Sequence, residues 1–380
     1  MTERPPGRID RKGRQVRVLF VNTARGLGGG VTSAVELSQG LARRGHEVTV
    51  ACHPRGGIHA GLQGQERIRL ARLPVRAELN PWRLMQLARI AQRTEPDIVL
   101  ADRRKDVKLA VAVSRLMGGR RLPVVHRHGA PSLLRNSATY KAVWTRLRLL
   151  IVNSQWMHSA LLEATPWLAQ VPMQIIHNGK DPAYYRPRPE VRAEVRSSFG
   201  LDTEAFVVCY HGVLQERKRL AVLLEAVAGL RGRRAIHALI VGDGPDADAL
   251  ERAAQGLPVT FAGRQDDIPR VLSAADAAVH MSEAEGFSNA VLEAMACGLP
   301  VIASRATSHP EQVVEGETGY LVDPGDGVAV AERISRLARD LVLARALGSA
   351  GRLRVLERFT IDAMLSDYET ALGQAAAGRL

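Results

Sequence analysis

The chain has 380 residues, of which 46% are hydrophobic and 24% are charged, and this balance excludes a largely disordered protein. Its length predicts two or three domains. The net charge of +13 is uneven: residues 1–190 hold 32 Lys and Arg against 13 Asp and Glu, whereas residues 191–380 hold 20 against 26. The basic first half is therefore expected to meet an anionic partner, such as a membrane surface, a phosphorylated acceptor or nucleic acid.

The three cysteines, Cys52, Cys209 and Cys297, lie far apart in apolar stretches. This spacing is typical of buried reduced thiols, and it favours neither a disulfide framework nor a metal site. No stretch approaches the ~18 uncharged apolar residues of a spanning helix, and the basic residues 1–14 are not followed by the apolar core of a secretory signal. A cytoplasmic protein is expected.

Short β-branched runs alternate with amphipathic segments along the chain. Strands are predicted in the first half at 16–21, 47–52, 97–101, 123–127, 149–153 and 173–177. Strands are predicted in the second half at 206–211, 237–241, 259–262, 277–281, 300–303 and 320–322. Apolar strands that alternate with helices predict parallel sheets covered on both faces.

The predicted fold class is α/β, with two Rossmann-like domains whose parallel sheets face each other across a cleft. The proline-rich residues 181–189 predict the linker. The first domain is expected at 15–185, after a basic tail at 1–14, and the second at 190–356. An amphipathic helix within 357–375 has no strand after it, so we expect it to pack as a terminal latch.

The most informative segment is 277–304, where a predicted strand leads through a turn into a helix that begins at Ser288 or Asn289, both good N-caps. Loops at the carboxyl ends of parallel strands bind ligands, and the free amides of a helix start favour a phosphate. Glu285 and Glu293 flank this position. Two carboxylates are unusual beside a site that binds only a phosphate. They are explained if they accept hydrogen bonds from the hydroxyls of a ribose and a sugar.

This segment resembles the signature of the family 4 retaining glycosyltransferases, in Glu-Gly-Phe at 285–287 and Leu-Glu-Ala-Met-Ala-Cys-Gly-Leu-Pro-Val at 292–301. Further motifs follow the order of the family: Gly28-Gly-Gly-Val31, Ile176-His-Asn-Gly-Lys-Asp181, Val241-Gly-Asp-Gly-Pro245 and Gly319-Tyr-Leu-Val322. The resemblance covers nearly the whole chain. It implies the GT-B fold, with the acceptor on the first domain, the nucleotide sugar on the second, and the C-terminal helix crossing back to the first.

The resemblance also implies roles for individual residues. Glu285 would contact the donor sugar and Glu293 the ribose, while the amides around 287–289 would meet the sugar or its phosphates. The residues expected to bind the donor are Gly29, Gly30, Gly212, Lys218, Arg264, Phe287, Ser288, Asn289 and Glu293.

Lys218 corresponds to the family lysine that neutralises the diphosphate of the donor. Stabilising the charge of this leaving group would be electrostatic catalysis. Val213 stands where the family has an arginine, so Arg217 or Arg219 is a candidate for the missing cation.

The glycines from Gly26 to Gly30 raise the alternative of an NAD-binding loop. The spacing argues against it, because Val31 stands where Gly-x-Gly-x-x-Gly requires its third glycine and the second strand is not followed by the acid that holds an NAD ribose. A loop that lets the donor phosphate and the acceptor approach the backbone is favoured.

His126 and His128 end a buried strand, and the resemblance implies that a histidine here points to the donor sugar. His128 is favoured over His126 because it precedes Gly129. The expected catalytic residues are therefore His128, Glu285 and Lys218. Because Asp246-Ala-Asp248 opens a helix rather than ending a strand, neither an obligatory metal nor a cofactor is expected.

Residues 133–150 combine four basic residues with Trp144 and several leucines. The pattern fits either a basic helix lying on an anionic membrane or an ordinary covering helix of the first domain. Nucleic acid is not expected as a partner, since only 4% of the residues are aromatic and no recognition motif is present.

The leading hypothesis is an enzyme that transfers a sugar from a UDP- or GDP-sugar to a hydroxyl, with retention of configuration, in the synthesis of lipopolysaccharide, polysaccharide or glycolipid. The acceptor is expected to be anionic, and the inner membrane surface is a possible partner. The alternatives are another enzyme on the same fold, such as a nucleotide-sugar epimerase, and a non-catalytic binder of anionic membrane or nucleic acid.

Overall fold

The computed structural model describes residues 15–26, 28–74, 80–117, 122–130, 132–230 and 235–379. They form two compact units: the first ends at His177 and resumes at Met364, and the second spans Asn178–Ala363. Each unit contains one sheet whose described strand pairs are all parallel. The predicted α/β class with two parallel sheets is confirmed.

The first unit is built on a seven-stranded sheet. Its strands are β1 (Arg17–Asn22), β2 (Glu47–Cys52), β3 (Ile68–Arg72), β4 (Ile98–Ala101), β5 (Val124–His128), β6 (Leu149–Val152) and β7 (Met173–Ile175). Its helices are α1 (Gly29–Arg43), α2 (Gly57–Leu62), α3 (Pro81–Thr94), α4 (Arg104–Leu116), α5 (Ala138–Trp144) and α6 (Gln155–Ala164). The strand order is β3-β2-β1-β4-β5-β6-β7, so the direction of winding reverses between β1 and β4.

The second unit is built on a six-stranded sheet. Its strands are β8 (Phe206–His211), β9 (Ile236–Val241), β10 (Val259–Phe261), β11 (Ala277–His280), β12 (Val301–Ser304) and β13 (Gly319–Val322). The helices that follow α6 are α7 (Arg192–Ser198), α8 (Leu220–Gly229), α9 (Ala247–Ala253), α10 (Ile268–Leu272), α11 (Asn289–Ala296), α12 (His309–Gln312), α13 (Gly327–Arg339), α14 (Leu341–Arg358) and α15 (Ile361–Ala376). The strand order is β10-β9-β8-β11-β12-β13, with its reversal between β8 and β11.

Both faces of the second sheet are covered, as the apolar strands predict. Alternate residues of a strand point to opposite faces. In β8, Val207 and Cys209 join one hydrophobic cluster, while Phe206, Val208 and Tyr210 join the other. The three cysteines of the chain are buried and free, as expected, and burial raises the pKa of the Cys209 thiol to about 12.

The boundary between the units lies before the predicted linker at 181–189 and the predicted end of the first domain at 185. Asn178 donates from its side-chain amide to the carbonyl oxygen of Phe287 at 3.2 Å. Tyr185 is buried in the hydrophobic core of the second unit. The proline-rich segment therefore packs on the second unit instead of forming an independent linker.

The last helix, α15, contains the second boundary, because its residues from Met364 onward belong to the first unit. Glu369 of this helix accepts from Arg44 at 2.7 Å and contacts the ring of His46 at 2.9 Å. Two side chains that follow α1 thus pair with one carboxylate near the end of the chain.

Of the two interpretations of 133–150, the structure supports the ordinary covering helix of the first domain, and it shortens that helix. Only residues 138–144 are helical, and the strand β6 begins at Leu149. Tyr140, Trp144 and Leu147 are buried in the core of the first unit, with the rings of Tyr140 and Trp144 stacked at 4.7 Å. The apolar side chains of this segment are therefore covered by the protein itself, as in an ordinary covering helix.

Replacing Gly242 by alanine should destabilise the second unit by roughly 1–3 kcal/mol. Gly242 follows β9 with a φ of 134°, and a Cβ there would overlap the backbone carbonyl of Gly212. A matched control is Gly229→Ala at the end of α8, where a Cβ would meet nothing within 4 Å. In urea unfolding, the midpoint of Gly242→Ala should lie well below that of the wild type, and the midpoint of Gly229→Ala should not. Equal midpoints for the two variants would contradict the expected clash.

Candidate active site

The loops that follow β8 and β11 meet where the strand order of the second sheet reverses, which is where open α/β sheets bind ligands. After β8 the chain passes Gly212, whose φ is 142°, and then forms a 3-10 turn over Glu216–Lys218. The N–H of Glu283, in the loop after β11, donates to the carbonyl of Arg217 at 3.0 Å. This hydrogen bond holds the two loops side by side.

Lys218 and Glu285, which the sequence analysis assigned to catalysis, form an ion pair through Nζ and Oε1. The hydroxyl of Ser282 donates to the same oxygen at 3.2 Å, and the Arg217 guanidinium lies 3.6 Å from it. Glu285 is only 9% exposed. Burial opposes its ionisation, but the two cations outweigh burial and hold the pKa of Glu285 below its usual range. The carboxylate is therefore ionised at neutral pH.

Val213 replaces the arginine of the family, and Arg217 and Arg219 are the two candidates for supplying that positive charge instead. Arg217 lies at this site and Arg219 does not. Arg217 donates to the carbonyl of Ala284 at 2.6 Å, directly beside Glu285. The side chain of Arg219 is 47% exposed and pairs with Glu283. Lys218 and Arg217 together bring two positive charges to the reversal point of the sheet.

Glu293 lies in α11 at the centre of a second buried polar cluster. Its Oε1 contacts Lys180 Nζ at 3.0 Å and accepts from the Tyr185 hydroxyl at 3.3 Å, and its Oε2 contacts His211 Nε2 at 3.1 Å. Burial opposes its ionisation, but Lys180 and His211 outweigh burial and lower the pKa of Glu293 to about 2. The sequence analysis did not assign these three partners, although Lys180 stands within a motif that it identified.

The helix α11 begins as predicted, with Ser288 as its N-cap: the Ser288 hydroxyl accepts from the N–H of Val291 at 3.4 Å. Gln312 of α12 clamps this residue, since its side chain accepts from the Ser288 N–H at 3.2 Å and donates to the Ser288 carbonyl at 2.8 Å. The Ser288 amide is therefore already bonded within the protein. The Phe287 ring is buried against Phe359, with their centroids 5.4 Å apart.

Asn289 and Arg264 complete the predicted donor residues of the second unit. The side-chain oxygen of Asn289 accepts from Asn178 at 3.2 Å, next to the Phe287 carbonyl. Arg264 follows β10, and its side chain is 63% exposed and 3.8 Å from Asp266. Its guanidinium is therefore largely exposed to solvent.

The first unit carries its own group of polar side chains at the carboxyl ends of β4 and β5. His126 Nδ1 lies 2.9 Å from the Ala101 carbonyl, and its Nε2 lies 3.1 Å from Nδ1 of His128. His128 Nε2 lies 3.0 Å from the Ser132 carbonyl. Burial lowers the pKa of His126 to about 4 and that of His128 to about 3. Both rings are therefore neutral at pH 7.

The predicted glycine loop opens α1, with Gly28 as a cap residue at a φ of 140° and Gly29 as the first helical residue. Arg127 reaches this turn, since its guanidinium donates to the Gly30 carbonyl at 3.3 Å. The same guanidinium pairs with Asp102 at 2.6 Å. The residues of the first unit that the sequence analysis assigned thus lie at one edge of its sheet.

Within the described ranges, the His, Cys, Asp and Glu side chains form no group of three or more that could hold a metal ion. In the part of the chain that the structure covers, no helix combines the length and the apolar composition needed to cross a membrane.

Comparison with known proteins places the chain in a family. Residues 27–184 match the family model "Glycosyltransferase Family 4", and residues 205–340 match "Glycosyl transferases group 1". A GDP-mannose-dependent alpha-(1-6)-phosphatidylinositol monomannoside mannosyltransferase of Mycolicibacterium smegmatis is 30% identical over 87% of this chain and 91% of its own length. The lipopolysaccharide core biosynthesis glycosyltransferase LpsE of Rhizobium meliloti is 28% identical over 90% of this chain and 94% of its own length.

Among solved structures, Anabaena HepE in complex with UDP-glucose superposes with a TM-score of 0.82 at 24% identity, over 95% of this chain and all of its own. This likeness extends to both parallel sheets and identifies the fold as GT-B. Together with the matches of the two family models and the mannosyltransferase, it confirms the resemblance drawn from the sequence motifs. The chain belongs to the family 4 glycosyltransferases.

Proposed function

We propose that this glycosyltransferase takes a sugar from a UDP- or GDP-sugar and transfers it to a hydroxyl of a cell-envelope glycan or glycolipid, with retention of configuration and without an obligatory metal ion. The observation that carries the proposal is the convergence of Lys218 and Arg217 on Glu285 at the reversal point of the second sheet. Two cations and a carboxylate at this position match the two ends of a sugar diphosphate.

The cations suit the leaving group. When the bond from the sugar to the diphosphate breaks, negative charge develops on the phosphate oxygen, and positioned cations stabilise it. Lys218 is held by Glu285 and only partly exposed, so its ammonium group is positioned before the donor binds. With these two side chains supplying positive charge, the proposed reaction needs no divalent cation to neutralise the diphosphate.

The carboxylate suits the sugar. An ionised Glu285 accepts hydrogen bonds, and sugar hydroxyls donate them, with charge-assisted bonds roughly twice as strong as neutral ones. Glu293, held ionised by Lys180 and His211, offers the same chemistry to a ribose. HepE, which has the same fold, was solved in complex with UDP-glucose, and this supports a nucleotide sugar as the donor of this chain.

The experiment that tests the proposal measures binding and then transfer. Thermal shift and calorimetry with UDP, GDP, UDP-glucose and GDP-mannose should show binding of one nucleotide and its sugar, in buffer with EDTA as well as without. NMR of the transferred sugar should then show the anomeric configuration of the donor. A protein that binds none of these ligands, or a product of inverted configuration, would contradict the proposal.

The charge distribution supports an anionic acceptor. It also supports the proposal that the enzyme acts at the cytoplasmic face of a membrane. The basic half of the chain coincides with most of the first unit, where Arg25 and Arg103 lie at the carboxyl edge of the sheet and bond to His53 and to the Thr23 carbonyl. The Mycolicibacterium relative acts on a phosphatidylinositol monomannoside, which carries a phosphate.

Binding to anionic vesicles should therefore fall steeply between low and high salt, because exposed charges are screened over a Debye length of about 8 Å at physiological ionic strength. Nucleotide binding, which rests on short contacts, should change much less. Sedimentation with anionic and neutral vesicles measures the first, and calorimetry the second. Equal binding to both vesicle types, or none to the anionic type at low salt, would remove the membrane from the proposal.

A further inference from the structure

A turn between β12 and α12 lies beside the Glu285 loop, and the sequence analysis did not assign it. The hydroxyl of Ser304 donates to the carbonyl oxygen of Ser282 at 2.6 Å. Nδ1 of His309 lies 2.9 Å from the Ser304 hydroxyl oxygen and 3.2 Å from the Ser304 carbonyl oxygen. Since the Ser304 proton is already donated to Ser282, both Ser304 oxygens are acceptors toward the His309 ring.

These contacts fix the tautomer of His309. Nδ1 must carry the proton, so Nε2 holds the lone pair of a neutral ring. Burial lowers the pKa of His309 to about 4, which keeps the ring neutral at pH 7. His309 is fully buried, and its Nε2 has no hydrogen-bond partner among the described residues. Unpaired buried polar atoms are rare in native proteins because each one costs free energy.

Two neighbouring hydroxyls are likewise buried without a hydrogen-bond partner in the described part of the chain. Oγ1 of Thr307 and Oγ of Ser308 are buried and lack a partner within the ranges that the structure describes. Thr307 also has a φ of 54°, a left-handed conformation that is unusual for a β-branched residue. Three consecutive side chains thus offer hydrogen bonds that the described protein does not use.

The turn lies close to the proposed donor site. Glu285 and Lys218 both act electrostatically on the ring of His309. A second imidazole shows the same pattern: the Nε2 of His211 contacts Glu293 at 3.1 Å, which leaves its Nδ1 buried and without a partner in the described part of the chain. Buried imidazole nitrogens without a partner in the described ranges therefore occur both in the turn beside Glu285 and next to Glu293.

We propose that His309 Nε2, with the hydroxyls of Ser308 and Thr307 beside it, accepts a hydrogen bond from a hydroxyl of the donor sugar and so helps to select that sugar. The inference rests on the proposed function, because it places a nucleotide sugar at this site. The chemistry excludes the phosphates as the partner: a lone pair requires a donor, and ionised phosphate oxygens only accept. A hydroxyl supplies the proton that Nε2 requires, and the cations Lys218 and Arg217 remain for the diphosphate.

Two substitutions of His309 separate recognition from a structural role. His309→Asn keeps an N–H near the position of Nδ1, for the bond to Ser304, and removes the acceptor at Nε2. His309→Gln reaches the position of Nε2 with an amide oxygen and gives up the bond to Ser304. Binding of UDP, GDP, UDP-glucose and GDP-mannose to both variants is measured by calorimetry, with the melting temperature as a check of folding.

We expect His309→Asn to bind the free nucleotide like the wild type and to bind the nucleotide sugar roughly tenfold more weakly, while His309→Gln stays close to the wild type for both. Ser308→Ala removes only a hydroxyl, and it should lose less affinity than His309→Asn, for the nucleotide sugar alone. This variant still tests the inference if a His309 variant does not fold. The inference would be overturned if His309→Gln bound the nucleotide sugar more weakly than His309→Asn does. It would also be overturned if His309→Asn lost affinity for the nucleotide and the nucleotide sugar equally.

The wild type separates the two proposals. If it binds a nucleotide and its sugar while His309→Asn and Ser308→Ala bind both as tightly, the inference about His309 is wrong and the proposed function stands. If the wild type binds none of the four ligands, the proposed function is wrong, and the inference falls with it.

Discussion

The Lys218→Ala variant is expected to transfer sugar at least about a hundredfold more slowly than the wild type, with most of the loss in kcat. The ammonium group of Lys218 contacts Glu285 at the reversal point of the second sheet, where the leaving diphosphate is proposed to lie. Charge develops on that group mainly in the transition state, so removing a positioned cation affects the rate more than the affinity for the donor. Steady-state kinetics with the donor found by the binding screen measure the change.

Arg219→Ala is the matched control for Lys218→Ala. It removes a neighbouring positive charge, but its side chain is about half exposed and pairs with Glu283, so its rate should stay within about twofold of the wild type. Arg217→Ala should fall between the two variants, because its guanidinium lies 3.6 Å from Glu285. Unchanged kinetics in Lys218→Ala with a large loss in Arg217→Ala would move the diphosphate from Lys218 to Arg217.

The strands of both sheets could be predicted because each is a short apolar run between polar segments. All twelve predicted strands are present, with ends that differ by at most two residues. The strand that was missed, β3, has the sequence Ile-Arg-Leu-Ala-Arg, in which Arg69 and Arg72 are exposed. These charged residues interrupt the apolar run by which the other strands were recognised. Its position at the edge of the sheet is not the reason, because β13 is also an edge strand and all of its residues are buried.

Residues 133–150 show why the sequence left two interpretations open and overestimated the length of the helix. Basic and apolar residues alternate there in a pattern that suits one long amphipathic helix, yet the chain turns after Trp144 and enters β6. The helical periodicity continues through the turn because Leu147 is needed in the core of the first unit. Periodicity alone does not distinguish such a turn from a continuous helix.

Within the site, the carboxylates and the lysine could be predicted, but their partners could not. Glu285, Glu293 and Lys218 stand in recognisable motifs. The partners of Glu293 come from distant parts of the chain: His211 is 82 residues away and Tyr185 is 108. Pairings over such separations depend on how the strands are ordered, and no local pattern in the sequence encodes them.

The buried pair of Glu293 with Lys180 gives the largest expected effect on stability. Lys180 is fully buried, and Glu293 supplies its negative partner at 3.0 Å. Glu293→Gln keeps the shape of the side chain but leaves the lysine without that charge, so the free energy of unfolding at pH 7 should fall by about 3–5 kcal/mol. The double variant Lys180→Met with Glu293→Gln removes both charges and should recover most of this loss. Urea unfolding of the wild type, of Glu293→Gln, of Lys180→Met and of the double variant measures the coupling between the two residues.

The pH dependence of that difference follows from the pKa of Glu293, which is lowered from 4.5 in the unfolded chain to about 2 in the folded protein. A lowered carboxyl pKa contributes stability that is complete above the unfolded value and disappears as the pH falls through the folded value. The advantage of the wild type over Glu293→Gln should therefore be constant above about pH 5 and shrink toward zero near pH 2. Groups that do not interact with Glu293 titrate alike in both proteins and cancel in the difference. An advantage that did not change between pH 7 and pH 2 would show that the difference does not arise from the charge of Glu293 and would contradict this prediction.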